Sequence, residues 1–190
     1  MPTLYIVGGP NGAGKTTTAL KLFPQLGVTQ FVNADLIAQG ISPLNVEAQA
    51  RTAARIMLEI MEELSNSDRD FALETTLASR SLYSFATECQ SKGFQFHLIY
   101  IWLASPELAV QRVAKRVRSG GHNIPENVIR RRYERGRANF YNLYRPIADT
   151  WTVLDNSGEQ TKLVAEGEKE LMTQVFFPDI WQTIIEGEIV

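Results

Sequence analysis

The segment Gly9-Pro10-Asn11-Gly12-Ala13-Gly14-Lys15-Thr16-Thr17 constrains this chain more than any other. It follows the apolar run Leu4-Tyr5-Ile6-Val7 and leads into the helix-like Thr17-Thr18-Ala19-Leu20-Lys21-Leu22. The pattern G-x-x-x-x-G-K-[ST] acquires meaning in that setting, after a strand and before a helix. Glycines at 9, 12 and 14 free the backbone for conformations other residues avoid and for close approach to a ligand. The amides of such a loop turn inward as an anion nest, and the following helix adds unpaired N–H groups and its positive dipole end. Gly9, Asn11, Gly12, Ala13, Gly14, Lys15, Thr16 and Thr17 are therefore expected to hold a nucleoside triphosphate. Lys15 would reach the β- and γ-phosphates, and the Thr16 hydroxyl would bind Mg²⁺.

The rest of the chain reads as alternating strands and helices. Strands are expected at Leu4–Val7, Gln30–Asn33, Phe71–Leu73, Phe94–Leu103 and Trp151–Leu154. Helices are expected after the loop, over roughly 46–64 with Asn45 as cap, over 81–92, from Pro106, and from Pro125 to about Tyr144. Helical segments are expected over about 160–190. Repeated βα units imply a parallel sheet, here of about five strands, with helices on both faces. The expected fold is thus an α/β P-loop NTPase core, one domain over 1–190, with a helical lid at about 112–137. With 190 residues, one cysteine (Cys89) and a net charge of −2, the chain suits a single core without an internal disulfide. Cys89 and His97 lie in apolar stretches and are expected in or beside that core. No apolar run approaches a membrane span, and the chain enters its first strand without a secretory-leader pattern. A cytoplasmic protein is expected.

Ligand groups in such folds gather at the carboxyl ends of the strands, which selects the polar residues that follow them. Asp35, after the second strand, could accept the proton of an acceptor hydroxyl, or it could only cap the turn Leu36-Ile37-Ala38. Glu74-Thr75-Thr76, after the third, could hold a sugar or ribose by its hydroxyls, or be a solvated turn. Asn156, in Asp155-Asn156-Ser157 after the fifth, could flank the nucleotide base or make an Asx turn. No apolar strand ends in a Walker-B aspartate, the base-specifying N-K-x-D of switch GTPases is absent, and no zinc-ligand spacing is seen.

Charge is unevenly spread. Ten of the nineteen Lys and Arg fall within 105–145, where the only acids are Glu107, Glu126 and Glu134. Arg112, Lys115, Arg116 and Arg118 are spaced to share one side of a helix. Arg130, Arg131, Arg132, Arg135 and Arg137 follow a Gly120-Gly121 break. The two helices read as a lid whose guanidinium groups meet phosphate. A few of these side chains are expected to touch ligand, and the rest to be solvated surface. His122, beside the break, is a candidate contact. The acidic balance elsewhere argues for a local polyanion site and against a nucleic-acid-coating surface.

Gly8 to Thr17, Phe31-Val32-Asn33-Ala34-Asp35 with Ile41-Ser42-Pro43, Glu74-Thr75-Thr76-Leu77, Gly120 to Pro125 and Asp155-Asn156-Ser157 together resemble the zeta toxin family of P-loop kinases, in its shorter chromosomal form, over roughly 3–157. The resemblance implies a nucleoside-kinase-like core. It also implies ATP- and Mg²⁺-dependent transfer to a small molecule, with the amino-sugar moiety of UDP-N-acetylglucosamine as the family's acceptor. It further implies Lys15 and Thr16 for phosphate and Mg²⁺, Asp35 as general base, Glu74 and Thr76 as sugar-nucleotide contacts, and Arg112 as the first lid arginine. At the second lid position, aligned on Ile124-Pro125, stands His122, and Arg116, Arg118 or Arg131 are the candidates to replace it. Some members are held inactive by a small antitoxin, which is a possible partner here. The alternatives are a nucleoside or polynucleotide-end kinase and a non-catalytic nucleotide-dependent partner module.

Overall fold

The computed structural model describes residues 1–121, 123–169 and 173–187. Its centre is a seven-stranded sheet in the order β2-β3-β1-β4-β5-β6-β7. The first five in that order are parallel: β2 (Gln30–Val32), β3 (Phe71–Thr75), β1 (Thr3–Gly8), β4 (Gln95–Trp102) and β5 (Thr150–Asp155). Parallel neighbours need crossover connections, and these supply the helices. They are α1 (Lys15–Leu22), α2 (Ala34–Ile41), α3 (Ala50–Ser65), α4 (Ser81–Ser91), α5 (Pro106–Arg118) and α6 (Glu126–Asn139).

Alternation along β1 and β4 divides the core into two layers. Leu4, Ile6, Phe96, Leu98 and Tyr100 face Met61 and Leu64 of α3, Ala86 and Cys89 of α4, and Phe140. Val7, Ile99 and Ile101 face Ala19 of α1, Ala109 and Val113 of α5, and Ile129 and Tyr133 of α6. Cys89 is fully buried as expected, and burial pushes its thiol up to about 11. His97 is half-buried and hydrogen bonded through Nδ1 to the Thr150 hydroxyl.

The C-terminal region departs most from expectation. Residues 162–168 form β6 (Lys162–Glu168), antiparallel to β5, and β7 (Gln174–Val175) adds to its far edge. Only α7 (Pro178–Glu186) is helical beyond residue 160 among the described residues. The reason is tertiary. Gly167 lies so close under Trp151 that a Cβ there would sit 2.6 Å from the indole Cζ2. Trp181 of α7 stacks parallel to Trp151 at 5.4 Å. An aromatic plate on β5 thus receives both the returning strand and the last helix.

Two smaller differences concern helix ends. The helix expected from residue 46 begins as a short 3-10 turn, Glu47–Gln49, before α3. Asn45 accepts the Ala48 N–H at 3.4 Å. The helix expected to reach Tyr144 changes to a π turn over Phe140–Tyr144, where Phe140 stacks on Tyr100 at 4.2 Å. Among the described residues, no helix is long and apolar enough to cross a membrane.

Candidate active site

The phosphate loop bends between β1 and α1 because close approach requires it. Gly9 has φ 143°, and a Cβ there would lie 2.2 Å from the Ile101 carbonyl oxygen. Gly14, at φ 85°, caps α1 and brings no side chain to cover the first N–H groups of that helix, which stay available to an anion. From outside the loop, Asn156 Nδ2 donates to the Ala13 carbonyl at 2.8 Å, and its Oδ1 accepts the Thr161 hydroxyl at 2.9 Å. Asn156 thus ties the phosphate loop to the segment that follows β5.

Lys15 is only 6% exposed. Its Nζ donates to the Pro10 carbonyl at 3.0 Å and lies 3.7 Å from Glu74 Oε1. Burial holds its pKa below the usual lysine value. Glu74 and Asp35 counter that shift, and Arg116 and Arg132 add to it. The Thr16 hydroxyl donates to Glu74 Oε2 at 2.7 Å.

Glu74 was expected to contact a sugar, yet the structure binds it to the loop. The sheet explains this. β1 and β3 pair with Val7 opposite Glu74, so the acid at the tip of Phe71-Ala72-Leu73 stands beside the root of the phosphate loop. A glutamate, not a Walker-B aspartate, thus stands near the tip of the strand beside the phosphate loop. Such a carboxylate with a loop threonine suits Mg²⁺, which is commonly held by one or two carboxylates together with substrate phosphates. In the loop, the buried Oδ1 of Asn11 has no hydrogen-bond partner among the described residues.

Asp35 is the second residue of α2, and the capping group is Asn33. Its Oδ1 accepts the N–H groups of Asp35 at 2.8 Å and Leu36 at 3.1 Å. The Asp35 carboxylate is thereby released from the capping role and faces the loop. Asn11, Gly12, Gly14, Lys15, Thr16, Thr17, Asp35, Glu74, Arg112 and Arg116 line one cleft of about 260 Å³.

The basic helices are sorted by their packing. Arg112 and Arg116, one turn apart on α5, line the cleft. Arg112 Nη2 also donates to the Ser157 carbonyl at 3.1 Å. Arg118 and Lys115 border a shallow groove along α5 with Leu108, Gln111 and Arg112, and Arg118 is not among the residues that line the cleft. Arg130 pairs with Glu107 and Glu126. Arg137 donates to the Ile184 and Ile185 carbonyls and ties α6 to α7. Arg131 is exposed and Arg132 half-buried; Arg132 acts on Lys15 by its charge. The expected lid is therefore a pair of helices built into the core through Ala109, Val113, Ile129 and Tyr133. Tyr133 closes the pair onto the sheet by donating its hydroxyl to the Leu103 carbonyl at 2.5 Å.

Thr76 is not among the residues that line the cleft, and its carbonyl packs against Gly136 of α6. His122 lies outside the described residues. Asn33 and the orientation of Glu74 are what sequence reasoning missed. An apolar strand ending in any acid was the available signal for Glu74. None existed for Asn33, whose role needs two adjacent strands.

A loop-bearing strand between its neighbours in the order 2-3-1-4-5, with these groups at the strand tips, defines a P-loop NTPase fold of the kinase type. The family model described as AAA domain matches residues 4–143, and the chain belongs to that family. An uncharacterised protein of Haemophilus influenzae (strain ATCC 51907 / DSM 11121 / KW20 / Rd) is 33% identical over 125 residues, which is 66% of this chain and 88% of that one. Three solved structures share the fold at low identity. A chain of the AvrRxo1-ORF1:-ORF2 complex solved with ATP is 16% identical with a TM-score of 0.75; the match covers 100% of this chain and 66% of that one. A chain of the PezAT chromosomal toxin–antitoxin system of Streptococcus pneumoniae is 17% identical with a TM-score of 0.68, covering 100% and 80%. A gluconokinase from Sinorhizobium meliloti is 18% identical with a TM-score of 0.54, covering 83% and 84%. This chain thus spans 66% of the length of the AvrRxo1 chain.

Proposed function

We propose that the protein is an ATP- and Mg²⁺-dependent kinase. It transfers the γ-phosphoryl group to a hydroxyl of a small molecule, with a sugar nucleotide such as UDP-N-acetylglucosamine as the leading acceptor. The observation that carries this reading is the composition of one cleft. Lys15, Thr16 and Glu74 stand at its phosphate side, and the carboxylate of Asp35 enters from the neighbouring helix.

Thr16 and Glu74 would hold Mg²⁺, which when bound screens the charge of the phosphates. The loop amides and Lys15 grip the phosphate oxygens. Asp35 orients the acceptor hydroxyl and takes its proton as the new O–P bond forms and ADP departs with the electrons of the broken bond. Arg112 and Arg116 stabilise charge on the transferring group. Much of the rate then comes from positioning. ATP in the AvrRxo1 complex, the gluconokinase fold and the toxin–antitoxin setting of the PezAT chain support the reading. With the motif resemblance to zeta toxins, they favour a sugar nucleotide as acceptor and a small antitoxin as possible partner.

The test is to incubate the protein with ATP, Mg²⁺ and a pool of sugar nucleotides, nucleosides and oligonucleotides, and to look for a phosphate-sized mass gain. A sugar nucleotide should gain phosphate. Asp35→Asn should lower that rate about 10²- to 10⁴-fold while ATP binding persists. Phosphate appearing only on nucleosides or polynucleotide ends would replace the acceptor class. ATP binding with no transfer to anything would overturn the kinase reading.

A further inference from the structure

Asn33 is 4% exposed, and its short amide works in two directions. Its oxygen caps α2 by accepting the N–H groups of Asp35 and Leu36. Its nitrogen donates to Glu74 Oε2 at 2.6 Å and lies 3.4 Å from Thr16 Oγ1. Thr16 donates to that same carboxylate oxygen. The juxtaposition follows from the sheet, since β2 and β3 pair with Val32 opposite Leu73, so Asn33 and Glu74 emerge side by side.

A helix cap needs only an oxygen, and Ser or Asp supplies one as well as Asn does. The donor toward Glu74 is a separate contribution, made from a second atom of the amide: ionised Asp has no donor, and the shorter Ser must cap and donate from one oxygen. A free carboxylate beside a lysine, a threonine hydroxyl and, in the working enzyme, a cation could turn to several partners. The Asn33 amide holds one Glu74 oxygen and, through the backbone of α2, fixes where Asp35 begins.

We infer that Asn33 is a positioning residue: one amide sets the Mg²⁺-side acid Glu74 and the acceptor-side acid Asp35 at a fixed separation, so that both sides of the cleft are ordered together. This rests on the kinase reading for its catalytic consequence, but the link to Glu74 stands on the hydrogen bonds alone.

The experiment compares wild type with Asn33→Ser, Asn33→Asp and Asn33→Ala. Three quantities are measured: melting temperature, ATP affinity in EDTA and in Mg²⁺, and phosphotransfer. Asn33→Ser keeps the cap but gives up the bond to Glu74, so it should melt below wild type and above Asn33→Ala, which loses both. Asn33→Ser should bind ATP in EDTA within about twofold of wild type. Its Mg²⁺-dependent gain in affinity and its kcat should each fall about 10- to 100-fold, the usual effect of losing a partner that orients a metal-side ligand. Asn33→Asp, which sets a second carboxylate against Glu74, should be no better than Asn33→Ser.

If the role were capping alone, Asn33→Ser would restore every quantity, and that result overturns the inference. A kcat loss matched by an equal loss of ATP affinity in EDTA would also overturn it, because the defect would then lie in the loop. If wild type shows no transfer, the kinase reading fails by itself, and the Mg²⁺-dependent binding gain still decides the role of Asn33.

Discussion

Lys15 shows how one residue serves the site at the expense of the fold. A buried cation loses hydration, which is why its pKa lies below the usual lysine value. Glu74 at 3.7 Å and the Pro10 carbonyl compensate only in part. Lys15→Met removes the charge but fills the slot, so the variant should melt at or above the wild-type temperature in the absence of nucleotide. Phosphotransfer should fall by at least about 10²-fold, because an electrostatic contact to the transferring group is gone. A thermal melt beside a transfer assay checks both, and a large drop in melting temperature would contradict the argument. At this scale the sequence spoke clearly where a local pattern carries the chemistry. The loop needs its glycines and Lys15 at fixed spacing along one short stretch. The tie of Glu74 to the loop was not legible, because its partner Thr16 lies 58 positions away.

Among the elements, α6 matters most, because it approaches the backbone of the Thr76 loop without an intervening side chain. A Cβ on Gly136 would lie 2.3 Å from the Thr76 carbonyl oxygen. One turn further, Asn139 donates to the Leu77 carbonyl at 2.7 Å, and Tyr144 donates to that of Ser79 at 2.6 Å. Leu77 takes φ 57° and is fully buried beneath Gly8. The loop after Glu74 is thus clasped along its length by the helix that carries Arg132. Gly136→Ala must push helix or loop backbone aside and should destabilise the protein by about 1–3 kcal/mol in urea titration. Gly40→Ala, with open space around its would-be Cβ on α2, should be neutral or stabilising by up to about 1 kcal/mol. Equal effects would sink the close-packing account. The helices themselves were legible from their caps and spacing. Which arginine faced which way was not, since Arg112, Arg116 and Arg118 look alike until α5 is laid against the loop.

For the molecule as a whole, the sheet sets both stability and site. His97 on β4 is half-buried against Thr150 of β5, and burial holds its pKa below the ordinary 6.5. As pH falls through 6.5 the unfolded chain takes up a proton before the folded one does. This contribution is therefore fully present above about pH 6.5 and lost as pH drops through the lower folded value. Urea unfolding at pH 7.5 and pH 5 should show a larger acid loss for wild type than for His97→Gln, and equal losses would remove His97 from the account. His97 and Thr150 line a groove with Glu166 and Glu168 of β6, a strand that the sequence disguised as helix. Val164 and Ala165 are buried side by side between Leu163 and Glu166, so neither period is clear. Only the place beside β5, under Trp151, decides their conformation. The sequence by itself determined the phosphate loop, the parallel βα core and the importance of the strand ends, because these follow from patterns a few residues long. The tertiary structure alone decided that Glu74 joins the loop, that Asn33 links it to Asp35, and that the basic helices are packed into the core. Each of these is a contact between distant segments, made when neighbouring strands come into register.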